Sequence, residues 1–400
     1  MKKLFLVFCF AVLGIMSFTL ESLAYDNENL KFNSNGEFTI LMFTDIEENE
    51  LPMSDSIKLL YAAVEKTNPD LIVYNGDNLS VNPGDNSLAK VEKAVEAITK
   101  PAVDNNIPFV VIFGQKDAES GVSIDKQLEI YKAVEGCLVG KNCVSTSGNG
   151  AYNIPIKSSS NEENVFNLWF FNSCLINSNE RTLFSSSENE QAKKQDVWYE
   201  QKSDSLKNDN DGKVLPSIVF QHEPVKEICE LLEQKDDDVS KSSNDYFLNG
   251  YIKDETTIGT FNMYPKVPKC TNGRFDLWKE QGDVIGAFFG GGHINDIEGT
   301  VDGIYLSQTL KSGVRGFGEA KYSGARVIVL DEKDLTSFET KSLPLSYLIG
   351  NPSNPLTLFR TSYAQTVKIL TFLSITIALS VLVAAGIKRK LAKRKNANVL

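Results

Sequence analysis

The 400-residue chain contains only two histidines, and each follows an apolar stretch that reads as a strand. His222 comes after Ile218-Val219-Phe220-Gln221, and His293 after Val284-Ile285-Gly286-Ala287-Phe288-Phe289 and three glycines. Three more apolar runs end in a similar way. Residues 38–44 lead into Asp45 and Glu47, Leu71-Ile72-Val73-Tyr74 leads into Asn75-Gly76-Asp77-Asn78, and residues 109–113 lead into Gly114-Gln115-Lys116-Asp117. Carboxylates, amides and imidazoles are the groups that ligate cations or move protons. A buried strand that stops on a glycine turn delivers the next polar side chain to the carboxyl edge of a sheet. That edge is where α/β folds place their ligands. Asp77 is the best placed of the set. Gly84-Asp85-Asn86 repeats its letters, but no strand precedes it and Pro83 marks a turn.

The elements that must position these residues alternate. After the strand at 38–44, residues 54–68 have helical periodicity, with Ile57, Leu60, Tyr61 and Val64 on one face and Ser54 as N-cap. Asn68-Pro69-Asp70 stops this helix. The strand at 71–74 is followed by a helix over about 87–99, which Pro101 is expected to end. The strand at 109–113 completes a strand–helix–strand–helix–strand order, which implies right-handed crossovers and a largely parallel sheet. Strands are expected at 165–171, 303–306 and 326–330, and a helix over 191–201. Stretches 157–160, 203–213 and 236–244 are polar and read as loops.

Taken in order, Asp45-Ile46-Glu47, Gly76-Asp77-Asn78, Gly114-Gln115-Lys116-Asp117, His222-Glu223-Pro224 and Gly292-His293-Ile294-Asn295-Asp296 resemble the motifs of the calcineurin-like metallophosphoesterases. The likeness is to their purple-acid-phosphatase-like branch, and it covers about 38–330. It implies an α/β fold, a four-layer α/β/β/α sandwich. It also implies two divalent or mixed-valence metal ions (Fe, Mn or Zn) and a phosphate-ester substrate attacked by metal-activated water. By the same resemblance Asp77 bridges the ions. One ion takes Asp77, Gln115, His222 and His293, and the other takes Asp45, Asp77, Glu47 and Asn295. Lys116 and Asp117 fall at the catalytic positions.

Several residues depart from the family pattern. Glu47 stands where a histidine is usual and favours harder cations. Gln115 replaces asparagine. Lys116 replaces the histidine that serves as acid; a lysine can offset phosphate charge but is a poor proton donor unless its pKa is lowered. One imidazole of the last motif is missing, and the register of His293 within it stays open. Two readings follow: a phosphoesterase of full or reduced activity, or an inactive binding or scaffold module of the same fold. A nucleophile-elbow hydrolase is excluded because no Gly-x-Ser-x-Gly is present.

The ends of the chain suggest a secretory route. Residues 1–24 read as a signal peptide, with an apolar run over 4–20 and small residues before the cut. Residues 365–387 read as a C-terminal transmembrane helix, since 369–387 carry no charge. The basic residues of 388–400 then form a cytosolic tail. The expected product is a single-pass type I membrane protein with its body, residues 25–364, in the lumen or outside the cell. The formal charge of −11 includes the cations of that tail, so the body is more acidic still. An acidic body argues against nucleic acid as a partner. Cys9 leaves with the signal, so an odd number of cysteines remains; Cys137–Cys143 and Cys229–Cys270 are the candidate pairs.

Overall fold

Apolar runs flanked by turn residues form the strands, and the segments of 3.6-residue periodicity form the helices between them. The structure, a computed structural model, describes residues 30–139, 151–172, 190–234, 248, 250–267, 273–353, 357, 370–371, 373–380 and 383–388. In chain order the elements are β1 (Leu30–Lys31), β2 (Glu37–Phe43), α1 (Ser54–Thr67), β3 (Leu71–Asn75), α2 (Ser87–Asp104), β4 (Phe109–Ile112), α3 (Gln115–Ala118) and α4 (Ile124–Lys132). They continue with β5 (Tyr152–Lys157), β6 (Asn164–Phe171), α5 (Glu190–Asp209), β7 (Ser217–Gln221), β8 (Leu232–Gln234), β9 (Tyr251–Lys253), β10 (Ile258–Thr260), α6 (Arg274–Gln281) and β11 (Val284–Phe289). The last are β12 (Asp296–Val301), β13 (Ile304–Gln308), β14 (Gly324–Asp331), β15 (Asp334–Pro344) and α7 (Leu345–Leu348).

Two mixed sheets carry the molecule. The larger runs β1-β5-β6-β7-β11-β13-β12-β10 and the smaller β15-β14-β2-β3-β4. Strands β2, β3 and β4 are parallel neighbours, as are β6, β7, β11 and β13. Their carboxyl ends therefore point the same way within each sheet. The two sheets face each other. Leu168, Phe170, Ile218, Phe220 and Phe288 join one core with β2, β3, β4 and β14. Phe338 of β15 packs on Phe288 and Tyr305, and Tyr152 donates a hydrogen bond to the carbonyl of Val111 across the interface. The alternate residues of the large sheet, Trp169, Phe171, Val219, Ala287 and Phe289, join a second core with Tyr199 of α5 and Trp278 of α6. Helices α1 and α2 pack on the small sheet through Leu59, Leu60, Val91, Val95 and Ile98. Each such side chain contributes about 2 kcal/mol of burial free energy.

The packing overrides the sequence reading in a few places. Helix α2 runs on to Asp104 with Pro101 inside it, because Ala102 is buried in line with Val91, Ala94, Val95 and Ile98. Helix α5 continues through Asp209 where a polar loop was expected, since Ser203 is buried and Leu206 packs on the second core. The N-cap of α1 is Met53 rather than Ser54, and no side chain caps it.

Residues 1–29, which include the expected signal peptide, lie outside the described residues, as do 235–247 and the expected bridge partners Cys143 and Cys270. The transmembrane helix expected over 365–387 falls partly outside them too. Its described parts, 370–371, 373–380 and 383–388, are helical, and among the described residues no helix is long and apolar enough to cross a membrane.

Candidate metal centre

The carboxyl ends of β2, β3, β7 and β11 bring five expected site residues to one place. Asp45, Glu47, Asp77, His222 and His293 are all buried. Nε2 of His222 lies 3.4 Å from Oδ2 of Asp77 and 3.7 Å from Oδ1 of Asp45. Nε2 of His293 lies 3.6 Å from the same Asp45 oxygen and 3.7 Å from Oε1 of Glu47. Two groups of potential cation ligands result: Asp45, Asp77 and His222, and Asp45, Glu47 and His293. Asp45, not Asp77, is common to both. Its Oδ2 accepts hydrogen bonds from the Gly291 N–H and the Thr44 hydroxyl, at 2.9 and 3.0 Å. Its Oδ1 is buried with no hydrogen-bond partner among the described residues. A buried carboxylate oxygen with two imidazoles close by and no hydrogen bond to it is a position that a cation would complete. The donor set fits cations of the Mn or Zn kind.

The local backbone is specialised to make this arrangement. Asp45, Glu47, Asp77 and His293 all adopt left-handed conformations, with φ of 49°, 47°, 49° and 45°. Non-glycine residues seldom do so, and such strain collects at functional sites. Glycines make room for the imidazole of His222. A Cβ on Gly76 would come within 2.6 Å of the ring, one on Gly290 within 2.9 Å, and one on Gly114 within 2.7 Å. The His222 Nδ1 donates to the carbonyl of Asn75 at 2.8 Å.

Charge is strongly coupled here. Burial opposes a charge on His222, but the carboxylates of Asp77 and Asp45 outweigh it and hold the imidazole well above its usual range. Burial likewise opposes ionisation of Asp77, yet the facing His222 and the Lys116 N–H hold its carboxyl below the ordinary value. Burial, with Asp45 and Asp77 nearby, pushes Glu47 up to about 7. Burial keeps His293 below its ordinary value despite the same two aspartates.

The remaining expected residues are placed differently. Asn295 was expected as a ligand, but its amide is fully engaged. Its oxygen accepts from the N–H groups of Asn262 and Met263, and its nitrogen donates to the Met263 carbonyl and to Gln308. It anchors the 262–263 segment instead. Asp117 was expected to be catalytic, but it is fully buried and both its oxygens accept backbone N–H groups, from Leu79 and Gly114 at 2.9 Å each. It ties the turn after β3 to the start of α3. The backbone N–H of Lys116 holds Oδ1 of Asp77 at 2.7 Å, while its ammonium reaches Glu119 at 3.0 Å. That bond to Glu119 raises the Lys116 pKa. Gln115, half-buried, opens α3 one residue from that contact.

A second loop borders the site and was not anticipated as part of it. Lys311, buried three residues after β13, donates to the carbonyls of Gly316 and Gly318 at 3.0 and 2.8 Å. A Cβ on Gly316 would meet the Glu47 carboxylate at 2.9 Å, and one on Gly313 would meet the Ile46 carbonyl at 1.8 Å. Arg315 pairs with the buried Glu48 at 3.0 Å and does not point a free guanidinium at the cluster. The run of glycines at 313, 316 and 318 is the signal for this close approach.

The chain is thus a mixed α/β protein with a carboxylate–imidazole cluster at its strand ends. No family model matches it. Relatives that do include two Arabidopsis thaliana proteins. Probable inactive purple acid phosphatase 14 is 24% identical over 329 residues, covering 75% of this chain and 76% of that protein. Probable inactive purple acid phosphatase 29 is 25% identical over 333 residues, covering 76% and 79%. Among solved structures, a dimetal phosphatase from Danio rerio is 10% identical with a TM-score of 0.41, covering 76% of this chain and 99% of that one. Over about three quarters of its length the chain is similar to purple-acid-phosphatase-like proteins, as the resemblance of its motifs to the calcineurin-like metallophosphoesterases implies.

Proposed function

We propose that the chain is a metal-dependent phosphoesterase of low activity, with two cations held by Asp45, Glu47, Asp77, His222 and His293. The observation that carries this reading is the buried Oδ1 of Asp45, without a hydrogen bond among the described residues, between Nε2 of His222 and Nε2 of His293. Bound cations would neutralise phosphate charge and lower the pKa of a water. The protein's own part is to orient and to exclude solvent. Asp77 is held by the Lys116 N–H, Asp45 by Gly291 and Thr44, and His222 by Asn75.

Protonation of the leaving group is the weak step. Both histidines are committed to the cluster, and both oxygens of Asp117 are occupied. The Lys116 ammonium is tied to Glu119 with its pKa raised. Hydrolysis is therefore confined to esters whose leaving group departs as a stable anion, aryl phosphates above all.

The same absence of an acid supports a second reading, a module that binds phosphate esters without turning them over. Both Arabidopsis relatives are named as inactive. Metal analysis of the purified protein, followed by p-nitrophenyl phosphate assays with added Mn, Zn or Fe, separates the two. Turnover that Asp77→Asn abolishes supports the enzyme. Metal uptake without turnover supports the binding module, and failure to take up any of the three ions removes both.

The proposal includes attachment to a membrane, with the site on the lumenal or extracellular side. It is supported by the charge-free run at 369–387 and the lysines and arginines directly after it. Protease protection of the body in intact microsomes tests it; digestion of the body without detergent overturns it.

A further inference from the structure

The segment before α6 is clamped to the turn that carries His293. The side-chain amide of Asn295 binds the backbone of Asn262 and Met263, and the Asn262 side chain donates to the Ile294 carbonyl at 2.6 Å. Both anchors thus fall on the two residues that follow His293. Met263 and Pro265 are buried, and the ring of Tyr264 packs on Tyr251 at a centroid distance of 4.8 Å. The Val267 N–H then bonds the Pro265 carbonyl at 3.0 Å, a tight turn centred on Lys266. Lys266 is three residues from Met263, at most about 11 Å of chain, and its side chain is exposed. Its positive charge acts on His293 and on Glu223, the neighbour of His222. The charges of Lys116 and Lys311 also reach the cluster, but those two ammonium groups are already engaged. Lys116 pairs with Glu119 at 3.0 Å, and Lys311 is buried on the carbonyls of Gly316 and Gly318. Among the described residues the Lys266 ammonium makes no hydrogen bond or ion pair. An exposed lysine alone is ordinary. One whose backbone is fixed beside a centre that would bind a phosphate is a charge held ready for that anion.

We propose that Lys266 is a substrate-binding residue whose ammonium takes a non-bridging oxygen of the phosphate while the carboxylate–imidazole cluster holds the cations. This rests on the phosphate-ester reading above. An ammonium is a compact charge on a flexible stem, suited to meet an anion that arrives from solvent. The chain is acidic overall, so a cation at this place also offsets the repulsion that an anionic ester would meet. Asn295 then serves the site at one remove, by holding the segment that presents Lys266.

The test is calorimetric titration of inorganic phosphate into the full-length protein loaded with Mn²⁺. Lys266→Ala should weaken phosphate binding about tenfold, with uptake of Mn²⁺ and the melting temperature unchanged. Lys266→Arg, which keeps the charge, should bind phosphate within about twofold of the unmodified protein. Unchanged phosphate affinity in Lys266→Ala overturns the proposal. A parallel loss of Mn²⁺ uptake also overturns it, by assigning the lysine to the metal centre itself. So does equal weakening in Lys266→Arg, which would assign the side chain to packing. If the unmodified, metal-loaded protein binds no phosphate, the phosphate-ester reading falls and this proposal with it, a result distinct from unchanged binding in the variant.

Discussion

Nδ1 of His222 donates to the carbonyl oxygen of Asn75, two residues before Asp77, so its Nε2 faces the carboxylates of Asp45 and Asp77. One strand end therefore sets both a ligand and the orientation of its partner. Thr44 reinforces the pair, its one hydroxyl proton lying within reach of both the same Asn75 carbonyl and Asp45. Removal of such outer partners typically weakens metal binding by about 10- to 100-fold. Thr44→Val should do so while the fold persists, as read by metal titration and circular dichroism. Unchanged affinity would detach Thr44 from the centre.

Asp45 is common to both ligand groups. Asp45→Asn should therefore weaken uptake of both cations, whereas Glu47→Gln should weaken one. Counting bound Mn²⁺ by mass spectrometry of the dialysed variants checks this. Two equivalents retained by the Asp45 variant would return the bridging role to Asp77.

Gly114 adopts φ of −106°, which any residue tolerates, so its requirement is for space. A Cβ there would stand 2.2 Å from Oδ1 of Asp77 and 2.7 Å from the ring of His222. Gly114→Ala should abolish metal uptake and cost about 1–3 kcal/mol of stability. A variant that binds metal normally would show that the wall around His222 gives way.

Metal uptake should strengthen with rising pH. In the metal-free protein Glu47 keeps its proton until about pH 7, and His222 keeps its own to higher pH still. A cation must displace both, so affinity falls as pH drops from 8 to 6, by about tenfold per unit for each proton released. Titrations in buffers of different ionisation enthalpy count those protons, and an affinity flat across this range would contradict the assignment.

Arg326 uses its guanidinium to join the two sheets. From β14 it donates to Asp296 and Glu298 of β12, to Thr309, and to Thr340 and Ser342 of β15. Arg326→Met should destabilise the protein by about 3–5 kcal/mol, because it strands two carboxylates at the sheet interface. Chemical denaturation measures it, and a loss below about 1 kcal/mol would mean that the carboxylates find water.

Hydrophobic periodicity was enough to locate the strand ends, because β3, β4 and β7 are buried on both faces and read as continuous apolar runs. That placement carried Asp45, Glu47, Asp77, His222 and His293 to one edge of the fold. The direction in which a polar side chain turns is not encoded in such runs. Asp117 and Asn295 follow strands as the others do, yet they turn to backbone donors nearby, since a buried carboxylate or amide takes whichever partner it reaches first. The sharing of Asp45, rather than Asp77, depends on which oxygens Gly291 and Lys116 occupy from distant parts of the chain. The place of the loop after β13 beside the site was not legible, because the contact of Lys311 with two carbonyls is a tertiary event.

The left-handed backbone at Asp45, Glu47, Asp77 and His293 has an evolutionary side. Glycine at any of these positions would fold with less strain and ligate nothing. Selection for heat resistance alone should therefore reach these positions early, and its survivors would be sturdier proteins without a metal centre. Asp45, Glu47, Asp77 and His293 carry that strain together with side chains that could ligate a cation.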